Sequence, residues 1–219
     1  MFEELFFRIG FLIIAFSFLG IRGYYGRKAQ PPGQKRTRRE RWADQVKHES
    51  KALVLFRIIV VYAMIAFIII WSLIPFLLPS WTQLIVPSWA RWAGVIICLL
   101  LIGALIWVGV HLGRQVSGSL EIKDRHELVT SGPYKYIRHP MYLVYLIFNL
   151  GLLLISMNLI LAIIILLGII VLMVRIPVEE NMMIERFGDA YRKYMKRTGR
   201  LFPKLQQQEQ SEPPPFSEK

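Results

Sequence analysis

The chain has 219 residues, of which 54% are hydrophobic and 19% charged, with a formal net charge of +12. Its apolar residues come in long blocks, which excludes an ordinary soluble domain built round one core. The positive charge reads as basic loops facing lipid headgroups, so membrane lipids are expected partners and no nucleic acid is expected.

The first apolar block, Leu5–Ile21, reaches the lower limit of about 17 residues for a membrane span. It begins 1-MFEELFF-7, with two acids and no basic region ahead of it. A retained span is therefore expected rather than a cleaved signal. The stretch 27-RKAQPPGQKRTRRE-40 reads as a flexible loop facing headgroups. Ala52–Leu78 is the second span. The loop 79-PSWTQLIVPSWARW-92 carries Trp81, Trp89 and Trp92, which read as interfacial anchors. Trp71 and Trp107 lie within spans, facing either lipid or a partner helix. Arg91–Leu112 is the third span, and its Cys98, the chain's single cysteine, has no disulfide partner.

From Met141 to Ile176 the chain is apolar over 36 residues. That is too long for one straight span and suits two, Met141–Ser156 and Asn158–Ile176, with the turn at 156-SMN-158. Lysine and arginine then set the orientation. Residues 22–51 hold ten, 113–140 hold five and 177–205 hold seven, against Arg8 and Arg91 near the other span ends. The expectation is an all-α integral membrane protein of about five transmembrane helices, N-terminus outside, with every basic segment in the cytoplasm. Residues 1–112 form the N-terminal spans with their basic loop, 113–205 a core around the hairpin 141–176, and 206–219 a disordered proline-rich tail.

Polar chemistry concentrates in two segments that flank this hairpin. In 126-HELVTSGPYKYIRHP-140, 127-ELVT-130 can be extended, and Ser131-Gly132-Pro133 signals a turn in which Gly132 lets the backbone approach a ligand closely. Pro140 biases His139 away from helix and can open the next span, leaving backbone donors at the boundary. In 175-RIPVEENMMIERFGDAYRKYMKRTGRLFP-203, Arg175 and Glu179 share one face if the helix continues past Pro177. Met183, Ile184, Phe187, Tyr191, Tyr194 and Met195 recur at helical spacing, an amphipathic helix that Gly188 interrupts and Gly199 ends. A hairpin returns its ends to one face, so the Tyr134–Tyr142 and Arg175–Glu180 clusters should meet in a cytoplasm-facing pocket. The competing reading is structural: an aromatic belt of Tyr134, Tyr136, Tyr142 and Tyr145, a snorkelling Arg138 and an ion pair at Arg175. His126 and His139 lack further ligands at a recognisable spacing, so no metal is expected.

The two segments, 112-LGRQVSGSLEIKDRHELVTSGPYKYIRHPMY-142 and 175-RIPVEENMMIERFGDAYRKYMKRTGRLFP-203, resemble the isoprenylcysteine carboxyl methyltransferase family and its phospholipid-methyltransferase relatives. The resemblance implies an S-adenosylmethionine-dependent methyltransferase embedded in a membrane of the plasma, inner or endoplasmic-reticulum type. Its site would face the cytoplasm and take a lipophilic acceptor from the bilayer. It further implies that His126, Glu127, Leu128 and Val129 line the cofactor, with Tyr134, His139, Pro140, Met141 and Tyr142 completing that wall. Glu179 would bind the cofactor's polar end, with Glu180 a second candidate, and Arg175 would hold the acceptor's anionic group. Val144 stands where family members often carry glycine, and its bulk narrows the approach there. A prenylated cysteine carboxylate, a phospholipid amine and a small thiol remain alternative acceptors. A nicotinamide-dependent sterol reductase and a non-enzymatic transporter or scaffold are the other readings, set against the short chain and the absence of an internal repeat.

Overall fold

A computed structural model describes residues 2–28, 42, 46, 49–112 and 128–204. The expected headgroup loop beyond Lys28, the site candidates His126 and Glu127, and the tail 206–219 lie outside these residues. The described part is built from six α-helices: α1 Phe2–Lys28, α2 Lys51–Leu73, α3 Ser88–Leu112, α4 Pro140–Ser156, α5 Leu159–Phe187 and α6 Asp189–Arg197. By length and composition α1, α2, α3 and α5 can each cross a membrane, and α4 is a shorter apolar helix. An all-α membrane protein is what the sequence led us to expect.

The long helices alternate in direction, and contacts at each end show it. At one end Glu4 of α1 bonds Arg91 of α3 at 2.6 Å, and Phe11 packs on Trp71 of α2. At the other end Arg22 of α1 donates to the Tyr145 hydroxyl of α4 at 2.9 Å. The basic segments follow the helix ends on this second side, hereafter the basic end. The core runs between helices through Phe7, Phe11, Phe18, Trp71, Leu105 and Phe148. Trp71 faces a partner helix, whereas Trp107 lies on the exposed surface. Closest approach falls between α3 and α4, where a side chain on Gly94 would meet the Gly151 carbonyl.

The turn joining α4 to α5 falls where the sequence placed it. Met157 adopts a left-handed conformation with φ 44°. Asn158 caps α5 by accepting from Ile160 N at 2.9 Å. Its amide also donates to Thr82 at 2.9 Å, and Leu84 N bonds Met157 O at 2.7 Å. The weak turn cue was therefore a cap and a tether to the tryptophan loop. Trp81 on that loop and Trp89 in the first turn of α3 are exposed, as interfacial anchors would be.

Several boundaries differ from the sequence reading, α3 for one starting at Ser88 rather than Arg91. α2 ends at Leu73 rather than Leu78, because Pro75 opens a separate 3₁₀ turn over Pro75–Leu77. The expected amphipathic stretch is the end of α5, reaching Phe187, followed by α6, with the interruption at Gly188 where the sequence placed it. Gly188, at φ 53°, breaks them apart. α6 ends at Arg197 with Thr198 as its cap, so Gly199 lies beyond the helix rather than closing it. Pro177 is carried inside α5 without ending it, which packed membrane helices tolerate.

Candidate active site

The lead into α4 is a tight turn zipped to the C-terminal segment. Gly132 has φ +58° and opens a 3₁₀ turn, Gly132–Lys135, with Tyr134 N bonding Ser131 O at 3.1 Å. The space a side chain would need at Gly132 is filled by the imidazole of His111, at the end of α3. The space that the sequence assigned to a ligand at this glycine is thus taken by a neighbouring helix. Arg138 N bonds Gly199 O at 2.8 Å and His139 N bonds Arg200 O at 3.0 Å. His139 is the N-cap of α4 and Pro140 its first residue, as the sequence predicted. The amides of Tyr142 and Leu143 both reach back to the His139 carbonyl, at 3.1 and 3.2 Å. Fewer backbone donors are therefore left at this helix end than the sequence suggested.

Glu180 is the hub of the first cluster. Its side chain is 2% exposed. Oε1 accepts from Arg138 Nε at 2.7 Å and lies 3.4 Å from His139 Nε2, while Oε2 accepts from Arg200 Nε at 2.8 Å. Arg138 also donates to the carbonyls of Met195 and Thr198. It is buried and multiply bonded, so the snorkelling role is excluded for it. Tyr136, by contrast, is exposed and suits an interfacial belt.

Arg175 is the hub of the second cluster. Its Nε donates to the Tyr142 hydroxyl at 3.0 Å, and that hydroxyl donates to Glu179 Oε2 at 2.7 Å. The two charges on one face of α5 are thus linked through a phenol from α4. Arg175 Nη1 also donates to Glu49 Oε1 at 3.0 Å. Glu49 Oε2 sits 3.5 Å from Arg57 Nη2 and is buried with no hydrogen-bond donor among the described residues. The two clusters meet where the His139 ring stacks on Tyr142, centroids 5.5 Å apart at 17°.

Burial controls the phenols outside the spans. It pushes the Tyr134 phenol far above its ordinary value, and the Glu179 charge pushes the same way. Burial likewise raises Tyr191, and takes Tyr194 to about 12. These phenols stay neutral at physiological pH and act as donors and aromatic faces. Tyr194 donates to the Tyr134 carbonyl at 2.7 Å, which holds α6 against the turn.

Of the residues singled out from sequence, Tyr134, His139, Pro140, Tyr142, Arg175, Glu179 and Glu180 come together at the basic end. Met141 and Val129 are partly buried against the core cluster. Leu128 lies just ahead of Val129, outside any helix. Val144 is buried among the core residues. Glu49, Arg200 and the Arg22–Tyr145 pair had not been singled out. Glu49 had a signal: it is an acid immediately before Ser50, which caps α2 by accepting from Leu53 N.

The arrangement defines a membrane-embedded helical core with a charged and aromatic site at one end. Residues 94–185 match the family model of the isoprenylcysteine carboxyl methyltransferase (ICMT) family. The match supports the resemblance seen in the sequence and, with the long apolar helices, a membrane methyltransferase. It spans most of α3, all of α4 and most of α5, and so contains Tyr142, Arg175 and Glu179 but not Glu49. No curated protein matches the chain.

Proposed function

We infer that the protein transfers a methyl group from S-adenosylmethionine to a lipophilic acceptor with an anionic end, of the isoprenylcysteine carboxylate kind. The observation that carries this reading is the chain of bonds from Arg175 through Tyr142 to Glu179. It sets an anion-binding group and a cation-binding group on one face of α5, a short distance apart. The residues fit the cofactor's chemistry: a sulfonium cation is favoured by the faces of Tyr134, Tyr142 and His139, and by Glu179. Leu128, Val129, Pro140 and Met141 supply the wall beside them, with His126 and Glu127 from the sequence resemblance. Both Glu180 oxygens are engaged by arginines, so Glu179 takes the cofactor's polar end and Glu180 supports it by holding His139.

When bound, the cofactor supplies a methyl already activated for transfer, so the chain's task is placement rather than strong acid–base chemistry. Arg175 holds the acceptor anion with its planar fork. Tyr142 fixes the guanidinium and the Glu179 carboxylate relative to one another. A carboxylate or thiolate acceptor needs no base, whereas an amine acceptor would lose its proton to His139, since both Glu180 oxygens are held by arginines. The basic end faces the cytoplasm by the lysine and arginine distribution. The acceptor's apolar tail stays in the bilayer, of plasma, inner or endoplasmic-reticulum type.

Thermal unfolding in detergent tests this reading. S-adenosylmethionine or its demethylated product should stabilise the protein, and nicotinamide cofactors should not. Glu179→Ala should abolish that shift. Arg175→Ala should raise the acceptor's apparent KM and leave the shift nearly intact. No shift with either sulfur cofactor would sink the enzyme reading and favour a transporter or scaffold.

A further inference from the structure

Glu49 lies outside the segment that matches the family, yet it ends inside the site. Its side chain is 1% exposed and its Oε1 accepts from Arg175 Nη1 at 3.0 Å. Resting on the methyltransferase reading above, we propose that Glu49 occupies the anion slot of Arg175 and that an acceptor carboxylate binds by replacing it.

Three features of the site support an exchange rather than a simple addition. Glu49 and Glu179 already converge on the Arg175–Tyr142 pair. A third carboxylate added beside them would be repelled, because like charges in a poorly solvated site cannot be screened. Next, Glu49 is a poorly satisfied occupant: among the described residues Oε2 is buried without a hydrogen-bond donor, and Arg57 is only an ion-pair distance away. A carboxylate that engages the guanidinium fork with both oxygens would be better satisfied there. Finally, Glu49 precedes the cap of α2 and is not itself helical. It can turn away while Ser50 keeps its bond to Leu53 N, so release does not unwind α2. Arg57, one turn and a half into α2, is placed to receive the displaced carboxylate.

The proposal makes Glu49 a specificity-determining residue. An acceptor that brings its own carboxylate restores the anion that Arg175 Nη1 loses when Glu49 leaves. A neutral acceptor of the same shape would leave Glu49 in place and gain nothing from Arg175.

The test compares a prenylcysteine carboxylate with its neutral methyl ester, using wild type, Glu49→Gln and Glu49→Asp. Binding is read by thermal shift in detergent, and the cofactor shift is read alongside. Glu49→Gln keeps an oxygen for Arg175 but removes the competing charge, so affinity for the acid should rise about fivefold or more, with the ester and the cofactor unmoved. Glu49→Asp, too short to reach fully, should move the acid in the same direction by less. An unchanged or weaker acid affinity in both variants would overturn the proposal and make Glu49 a positioning residue for Arg175. Failure of both variants to fold would overturn it too, by marking Glu49 as structural. If wild type shows no cofactor shift and no acid binding, the methyltransferase reading fails together with the proposal. A normal cofactor shift with no change in acid preference sinks the proposal alone.

Discussion

Removing the Glu180 carboxylate should unfold the basic end of the molecule, and the site's geometry gives the size of the effect. Arg138 is only 6% exposed and is paired with Glu180 at 2.7 Å. Stripping the partner from a buried ion pair costs about 3–5 kcal/mol. Arg138 would keep its bonds to the Met195 and Thr198 carbonyls. That retained solvation places Glu180→Gln near the lower end, about 3 kcal/mol. Arg200 is the weaker partner, because its side chain is 55% exposed. Such a pair is screened by water, and Arg200→Ala should cost about 1 kcal/mol or less. The contact from His139 is long, at 3.4 Å, and adds little. The assay is equilibrium unfolding in mixed detergent micelles followed by circular dichroism. A double variant, Arg138→Met with Glu180→Leu, should recover most of the loss, since a well-packed apolar pair often replaces a buried ion pair at no cost. The reasoning is refuted if Glu180→Gln costs under about 1 kcal/mol, or if Arg200→Ala costs as much as Glu180→Gln.

Two other substitutions probe different parts of the fold. Tyr142→Phe removes the hydroxyl between Arg175 and Glu179, each a bond to a charged group worth about 1.5–3 kcal/mol. Cofactor affinity and acceptor KM should therefore both worsen by about tenfold or more, with the unfolding midpoint falling as well, and a change in only one of the two binding constants would contradict the bridge. Gly94→Ala places a Cβ 2.7 Å from the Gly151 carbonyl oxygen and 2.8 Å from Leu154 Cβ. Forcing α3 and α4 apart should cost about 1–3 kcal/mol, read in the same unfolding assay, whereas Gly103→Ala, which meets nothing within 4 Å, should not destabilise.

The spans, the hairpin and the meeting of its two flanks were readable because hydrophobic run length and the return of a hairpin are properties of the chain alone. Asn158 shows where that stops. From the sequence it is one polar residue in an apolar run, and its capping and its bond to Thr82 depend on a loop far away in the chain. The end of α2 was legible in retrospect from Pro75, but the apolar run to Leu78 masks it, since hydropathy does not register a lost backbone donor. At the site, the i,i+4 spacing put Arg175 and Glu179 on one face. It could not reveal that Tyr142 bridges them or that Glu49 pairs with Arg175, because Tyr142 arrives from α4 and Glu49 from the segment just ahead of α2. Arg138 illustrates the converse. A basic residue beside a span end reads as snorkelling, and only the fold of the C-terminal segment over 136–139 buries it.

α5 carries two kinds of chemistry on two faces, and Tyr142 and His139 join them. Arg175 and Glu179, four residues apart, are separated by about 40° round the helix, while Glu180 is turned about 100° further from Glu179. The Arg175–Glu179 face meets Tyr142 and Glu49. The Glu180 face meets Arg138, His139 and Arg200, and beside it Met173, Pro177 and Phe202 line an apolar cleft of about 330 Å³. His139 touches both sides, near Glu180 through its ring nitrogen and against Tyr142 through its stacked face. A loosened Glu180 would free Arg200, whose carbonyl accepts from His139 N at 3.0 Å, and so shift His139, the Tyr142 ring stacked on it and the spacing between Arg175 and Glu179. The structural cluster and the reactive one are mechanically in series. Substitutions at Arg138 or Glu180 should accordingly impair cofactor binding even though neither side chain is assigned to hold it.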